Sequence, residues 1–487
     1  MSRFGFLLAV AALGVAAYVA AGLGPAARRT RDRSEVPGVV VLCLDTLRAD
    51  VVDVGADHRG LPSLRAFAGS ATRFDGAIAP SSGTAPSVAT LLTGLEPGAH
   101  GVLDPTFRSR LPASIPTIAT ILRAEGWSTA ACTAGGWVDR GSGLEDGFDQ
   151  FAADFDASAP RDVVERWRSR RPLDRPFFLF LHTYAAHDPY GDKTKMATGA
   201  CTPDDEVRGR EVADAVRAAS ATGDDDLKRR FLRLRMTDPC GSRVAEQVLG
   251  APTFLAAWAT CRDVLDGAWH DEPRGRAEAA YLRAAYLAAL PYVDDRLAAT
   301  LAALGTLPRD TVIVVCSDHG EAFGEHRVLY HGRYVHPELT RALLLVRARG
   351  LPSGARFAAT CGLADVVPTI LELAGVRAAA RFDGRSLVAF PGRPDVGRPV
   401  SSLVTAPEDG SGTDEPWVRR AAVRDDRVTW AGTYDRRANR WTEEAWFDRR
   451  LDPEEHRPLT SSPGATDEPA FEAERARVRR AIELFTR

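Results

Sequence analysis

The sequence predicts an α/β protein with a mostly parallel central sheet and a small antiparallel sub-domain at its C-terminal end. Three observations carry this. Continuous apolar, β-rich runs such as Val39 to Leu44 and Phe177 to Leu181 recur along most of the chain. Such runs mark strands buried on both faces, the hallmark of parallel sheets. Between them lie amphipathic helical stretches, the alternation of a βαβ protein. From about Pro399 the pattern weakens into short segments, Ala421 to Val428, Thr429 to Thr433 and Ala445 to Phe447, which fit an antiparallel sheet with a final helix near Ala470 to Phe485.

The composition is that of a globular protein able to bury a sizeable core, with 487 residues, 45% of them hydrophobic. A net charge of -3 offers nothing to attract nucleic acid. No GxGxxG follows a strand and no GxxxxGK[ST] occurs, so nucleotide-cradle functions lose support. An apolar run from Phe4 to Gly24 precedes the basic cluster Arg28 to Arg33. Residues 1–33 therefore read as a signal peptide or an N-terminal membrane anchor. The expectation is an exported protein, periplasmic, extracellular or membrane-anchored. Cys201, Cys240 and Cys261 share one polar region and can supply a disulfide after export. Cys43 and Cys316 lie inside apolar runs and read as buried thiols.

The first strand, from Val39 to Leu44, ends at Asp45-Thr46. Open α/β sheets bind ligands at the C-terminal ends of their strands, so Asp45 is either a site carboxylate or the cap of the next helix. Leu61 to Ser70 is an amphipathic helix, and Ala71 to Ala79 leads back toward the sheet. A loop rich in hydroxyls follows, Pro80-Ser81-Ser82-Gly83-Thr84-Ala85-Pro86, with a helix expected from Ser87 to Gly94. Thr84 stands near that helix's positive end, where it serves as an N-cap or as a reacting oxygen beside an anion. Pro116 to Gly126 is a helix closed by its glycine. Trp127 to Ala134 is a strand, Gly135 to Phe151 a glycine-rich loop, and Arg161 to Arg170 a charged helix.

The strand from Pro176 to Leu181 ends at His182-Thr183-Tyr184-Ala185-Ala186-His187-Asp188, a histidine pair that is either structural or part of a site. Residues 191–274 are polar and read as a partly helical insertion over the rim. Ala277 to Leu304 is a long helix. The strand Thr311 to Cys316 ends at Ser317-Asp318-His319, with His331 shortly after. Leu343 to Val346 is a further strand and Leu363 to Gly375 a helix. Buried strands thus end in Asp45, in His182 to Asp188 and in Asp318-His319. Oxygen and imidazole donors from separate strand tips suit a divalent cation, and a cation beside a hydroxyl activates it for attack on an ester.

Ordered blocks give this pattern a family likeness. VVVLCLDTLRAD (Val39 to Asp50), TAPSVATLLTGLEPGAHGV (Thr84 to Val102), TIATILRAEGWSTA, GFDQF, PFFLFLHTYAAHDPY, VIVVCSDHGEAFGEH, HGRYVHPE, LADVVPTILELAG and WFDRRLDPEEHRPL follow one another as in the sulfatase family, within the alkaline phosphatase superfamily. The chain resembles an atypical member. The resemblance implies a three-layer α/β/α sandwich, with residues 37–395 as the catalytic domain and 399–487 as the C-terminal sub-domain. It places Thr84 at the nucleophile, Asp45, Thr84, Asp318 and His319 at the metal, and His187 and His331 at the substrate anion or leaving group.

The departures are chemical. Typical sulfatases carry a Cys or Ser that is converted to formylglycine. Threonine, with a methyl on Cβ, cannot give that aldehyde, so formylglycine is not expected. Val88 stands where the family has arginine, and Thr46 where it has a second aspartate. Related phosphoryl-transfer enzymes do use threonine. The implied function is a metal-dependent hydrolase of sulfate or phosphate and phosphonate esters, or a phosphoryl transferase. The alternative is a degenerate member that binds an anionic glycan or lipid head group without turnover. Substrates are expected to be small anionic esters, glycans or lipid head groups. One divalent ion is expected, calcium, magnesium, manganese or zinc. The two DxxxH spacings, Asp266 with His270 and Asp452 with His456, fall outside the strand tips and do not suggest a second metal set.

Overall fold

The computed structural model describes residues 38–487 apart from 54–59, 104–109, 192, 194–200, 223–224, 251–252, 255–271, 306, 309, 393–396, 408–416, 436–439, 460–468 and 485–487. The segment read as signal or anchor, Cys261 and the Asp266/His270 pair lie outside the described residues. Among the described residues no helix is long and apolar enough to cross a membrane.

The first half holds β1 (Gly38–Leu44), α1 (Pro62–Ser70), β2 (Thr72–Phe74), β3 (Ala77–Ile78), α2 (Thr84–Thr93), α3 (Ile118–Ala124), β4 (Ser128–Cys132), β5 (Gln150–Ala152), α4 (Pro160–Arg170) and β6 (Phe177–Thr183). Helices α5 (Pro203–Thr222), α6 (Asp225–Thr237) and α7 (Pro239–Leu249) follow, then the long α8 (Pro273–Leu304). The chain continues through β7 (Val312–Cys316), β8 (Leu344–Arg347), β9 (Arg356–Phe357), β10 (Cys361–Gly362) and α9 (Val366–Leu373). The last part is β11 (Val400–Pro407), β12 (Trp417–Arg424), β13 (Val428–Asp435), β14 (Arg440–Asp448) and α10 (Pro469–Leu484).

Eight strands form the central sheet in the order β5-β4-β6-β1-β7-β8-β2-β9. Strand β1 lies between β6 and β7 and pairs in parallel with both. Only β8 runs against its neighbours. Alternate residues of β1 point to opposite faces, and both faces are covered. Val40, Leu42 and Leu44 pack with Leu179, Val315 and the α8 residues Leu282, Tyr286 and Leu290. Val39, Val41 and Cys43 pack with Phe178, Val314 and the α2 and α9 residues Val88, Leu92, Val367 and Ile370. The fold is therefore α/β with a mostly parallel sheet, and a separate antiparallel sheet β11-β12-β13-β14 follows it.

Three differences from the sequence reading have physical reasons. Helix α2 starts at Thr84 rather than Ser87. Pro86 is tolerated there because first-turn N–H groups have no partner within a helix. The glycine-rich stretch after β4 ends in β5, a three-residue edge strand too short to show a period. The run Ala421 to Val428 is not one strand, because Asp425 to Arg427 turn between β12 and β13, with Asp425 Oδ1 accepting from Val428 N at 2.7 Å. Cys201 and Cys240 form a disulfide, while Cys43, Cys132, Cys316 and Cys361 are buried free thiols.

Leu92, 1% exposed, is wedged between α2 and the sheet. Leu92→Ala is expected to cost roughly 2–5 kcal/mol in urea unfolding with an unchanged m-value. A loss well below 1 kcal/mol would mean that α2 is not packed as described.

Candidate active site

Register assembles the site. Cys43 pairs with His182 across β6 and with Cys316 across β7, so the residues that follow emerge at one level. Asp45, His182, Asp318 and His319 are all buried there. From the facing helix, Thr84 Oγ1 lies 3.0 Å from Asp45 Oδ2 and 3.4 Å from His319 Nε2. Thr84 is at the first position of α2, and the first-turn amides of a helix favour negative charge beside them.

The donor set has the properties of a cation site. One ligand atom each from Asp45, Asp318 and His319 lie within 4.8 Å of one another. Asp45 Oδ1 and Asp318 Oδ2 are buried and have no hydrogen-bond partner among the described residues. His319 Nε2 stands 4.0 Å from the first and 3.5 Å from the second. His319 Nδ1 is 2.9 Å from Gly320 O, so in the neutral ring the hydrogen sits on Nδ1 and Nε2 offers its lone pair. Buried polar atoms are normally paired, and two orphaned carboxylate oxygens aimed at a free imidazole lone pair fit a divalent ion. Among the described residues the only other such group is Cys201, Asp205 and Cys240, whose cysteines are spent in the disulfide.

The electrostatics agree. Burial, followed by the charge of Asp45, pushes the Asp318 carboxyl up to about 6. Burial acts on Asp45 in the same direction, but the hydrogen bond from His182 Nε2 at 3.2 Å and the nearby charges of His319 and His187 outweigh it and hold Asp45 well below the usual carboxylate range. The other oxygen of Asp318 accepts from Thr46 N at 3.2 Å and His319 N at 2.8 Å. Thr46 supplies only its backbone here; its hydroxyl bonds back to Asp45 O at 2.7 Å, in a left-handed turn with φ 57°. Val88 is fully buried between helix and sheet and brings no polar group to the site.

His187 and His331 join the same cluster. Their ring centroids are 4.9 Å apart, and His331 lies 4.7 Å from His319. Burial lowers the affinity of His187 for a proton, but Asp188, 2.7 Å from its Nδ1, more than compensates and raises it to about 9. His331 is driven the other way, first by burial and then by the charges of His319 and His187. Its Nδ1 is 3.1 Å from both Glu321 oxygens, and burial with repulsion from Asp188 raises Glu321 to about 8. At neutral pH the shared proton stays on Glu321, which donates it to His331 Nδ1. His331 then carries its own hydrogen on Nε2.

All six residues singled out from the sequence meet in this site. Several partners were missed. His182 was seen at the end of its strand but given no role; its pairing opposite Cys43 puts it on Asp45. Glu321 was inside a quoted block. Lys193, buried, donates to His187 O at 2.6 Å and to Tyr184 O. Asp156 accepts from Thr183 Oγ1 at 2.5 Å and Tyr184 N at 2.7 Å. Neither lies in a patterned segment, so no sequence signal marked it. Of the Asp452/His456 pair, His456 stacks on His326 with ring centroids 4.5 Å apart, and Asp452 Oδ2 accepts from Arg457 N at 2.7 Å.

Two carboxyl groups and an imidazole face a hydroxyl at a helix start, on the C-terminal edge of a parallel sheet, a set that could hold a metal ion beside that hydroxyl. The sulfatase family model matches residues 37–376, and the chain belongs to the sulfatase family. A choline-sulfatase of Rhizobium meliloti (strain 1021) is 25% identical over 374 residues, covering 70% of this chain and 68% of the relative. A sulfatase of Formosa agariphila is 37% identical over 106 residues, only 21% of its own length. Among solved structures, the phosphonate monoester hydrolase SpPMH from Silicibacter pomeroyi superposes with a TM-score of 0.61 at 21% identity, over 92% of this chain and 95% of that one. BT4656, in complex with its substrate D-glucosamine-2-N,6-O-disulfate, gives 0.61 at 17% identity, over 92% and 99%. These two likenesses establish the fold.

A cation and a proton compete for Asp318. Divalent-ion affinity, measured by calorimetry, is expected to fall by about tenfold per unit as pH drops below about 6. Asp318→Asn is expected to weaken binding more than about 100-fold at pH 7.5. A pH-independent affinity, or an Asn variant that binds normally, would place the ion elsewhere.

Proposed function

We propose that this protein hydrolyses small anionic monoesters, phosphate or phosphonate esters in preference to sulfate esters, with Thr84 as nucleophile. The observation that carries the proposal is the position of Thr84 Oγ1, 3.0 Å from Asp45 Oδ2 and 3.4 Å from His319 Nε2 at the start of α2. Asp45, Asp318 and His319 would hold one divalent ion, with Thr84 beside it; when bound, that ion lowers the pKa of the hydroxyl and neutralises charge on the ester.

The residues divide the work as follows. Thr84 donates its hydrogen to Asp45 Oδ2, which aims an oxygen lone pair at the substrate. The oxygen attacks phosphorus, its proton leaves along the bond to Asp45, and the ester P–O bond breaks. His187, protonated at neutral pH because of Asp188, gives its proton to the departing alkoxide. His331 offers a hydrogen from Nε2 to the transferred group. Water then attacks phosphorus and gives a proton to the now neutral His187, the Thr84–phosphorus bond breaks, and the threonine oxygen takes back the proton held by Asp45, which returns every group to its starting state. A formylglycine hydrate can expel sulfate by elimination. Threonine has no second hydroxyl on Cβ and depends on attack at the central atom in both steps, which supports phosphorus over sulfur.

A second reading has its own observation. Val88 leaves the site without the guanidinium that its position carries in typical sulfatases, which favours a protein that binds an anionic head group without turnover.

The test uses 4-nitrophenyl phosphate, phenylphosphonate and sulfate esters with the metal-loaded protein. Wild type is expected to turn over a phosphorus ester. Thr84→Ala should lose about 10⁴-fold or more, while Thr84→Ser retains activity. Mass spectrometry of quenched reactions should find the phosphoryl or phosphonyl group on the Thr84 peptide. Equal activity in Thr84→Ala would remove Thr84 from the chemistry, and a metal-loaded protein inert to all three esters would favour the binding reading.

A further inference from the structure

The loop after β6 carries His187, and the helical segment between β6 and β7 grips that loop at a specific point. Asp188 is 4% exposed and divides its oxygens between two tasks. Oδ1 lies 2.7 Å from His187 Nδ1 and accepts from Tyr330 OH at 2.9 Å. Oδ2 makes no aligned hydrogen bond, and its ion-pair partner is the guanidinium of Arg235. Arg235 stands near the end of α6, far from the site in sequence.

The placement of Arg235 is itself fixed. Beside it, Met236 O accepts from Tyr190 N at 2.5 Å, which ties the same loop to α6 through its backbone. On α6, the neighbouring Arg233 Nε donates to Glu278 of α8 at 2.7 Å. Cys240, the second residue of α7, is bonded to Cys201 ahead of α5. Asp238, between α6 and α7, accepts from Gly241 N and from Arg208 Nε of α5, each at 2.9 Å. The corner that presents Arg235 is thus anchored on both sides.

We propose that Arg235 is a positioning residue for His187, acting through Asp188, so that the helical segment completes the site rather than merely covering it. A carboxylate buried beside a single imidazole has two competing poses: toward its histidine, or turned to find other donors. The guanidinium on Oδ2 removes the second. It keeps Oδ1 turned to Nδ1, and so keeps the opposite nitrogen, Nε2, as the one available to substrate. His187 Nδ1 is also 2.8 Å from Asp188 O, so the ring has a nearby alternative partner to slip to when Oδ1 moves. This inference rests on the reading of His187 as the group that faces the leaving oxygen.

The test compares Arg235→Gln and Arg235→Lys with wild type in the full-length, metal-loaded protein. Two readouts separate the questions. The first is kcat and KM on the 4-nitrophenyl ester that wild type cleaves. Arg235→Gln is expected to lose roughly 10- to 100-fold in kcat with KM changed by less than about threefold, and Arg235→Lys to recover most of the loss. The second is the downfield proton resonance of His187 Nδ1–H, assigned by its disappearance in His187→Gln. It is expected to be lost or strongly displaced in Arg235→Gln, and retained but shifted in Arg235→Lys. This signal reads the His187–Asp188 geometry even in a protein that cleaves no ester, so a failure of the hydrolase reading and a failure of this one are distinguishable. Should Arg235→Gln not fold, the shift in Arg235→Lys decides. An unmoved resonance in the folded variants, or a loss of kcat that lysine does not rescue while the resonance stays in place, would overturn the proposal.

Discussion

Two buried carboxylates meet at the edge of the sheet, each with one oxygen lacking a hydrogen-bond donor among the described residues, and most of the site answers to that constraint. Asp45 and Asp318 end adjacent parallel strands, so their proximity is set by the β1–β7 register and cannot be relaxed without breaking the ladder. Like charges withdrawn from water repel strongly and carry a desolvation cost as well. The protein stabilises part of this charge with His182 on Asp45 and with two backbone amides on Asp318. The remaining oxygens face the lone pair of His319. A divalent cation would supply the positive charge that the described residues leave out at this point. In the proposed reaction the Thr84 hydroxyl then needs no base beyond Asp45, to which it already donates.

The proposed reaction also requires a positive group at the leaving oxygen, and there it relies on the loop after β6. That loop is held from several directions: Asp156 on Thr183 and Tyr184, Lys193 on two carbonyls, Tyr330 and Arg235 on Asp188, and Tyr190 OH on Glu321 at 2.9 Å. A loop so heavily tied can hold His187 in one pose without regular secondary structure. His187 and His331, only 4.9 Å apart, are driven to opposite protonation states by different carboxyl neighbours. Asp188 is held ionised beside Arg235, whereas burial and the charge of Asp188 favour the protonated form of Glu321. In the proposed reaction this lets two chemically equal side chains serve as a proton donor and a neutral hydrogen-bond donor in one pocket.

Much of this was legible in the sequence because parallel sheets write themselves clearly. VVVLCLD, FFLFLHT and VIVVCSD are continuous apolar runs closed by polar residues, and that pattern gave both the fold class and the level at which Asp45, His182 and Asp318 emerge. Thr84 was legible only by association, since a hydroxyl at a helix start is commonly a cap; in the structure its hydroxyl faces Asp45 instead of a first-turn amide. What stayed hidden came from segments without a period. Lys193, Asp156 and Arg235 act through contacts across long sequence distances, and nothing local distinguishes them from solvated charges. The short edge strand β5 and the turn between β12 and β13 were lost for a related reason: two or three residues do not make a period, and turn chemistry at Asp425 was masked by the apolar residues around it.

The central claim is that Asp45, Asp318 and His319 hold one cation against Thr84. The most direct measurement is anomalous diffraction from crystals grown with manganese. The account predicts a single peak at this site, roughly 2–2.6 Å from Asp45 Oδ1, Asp318 Oδ2, His319 Nε2 and Thr84 Oγ1. Full occupancy at another position, or a peak bound to the carboxylates with Thr84 turned away, would contradict it.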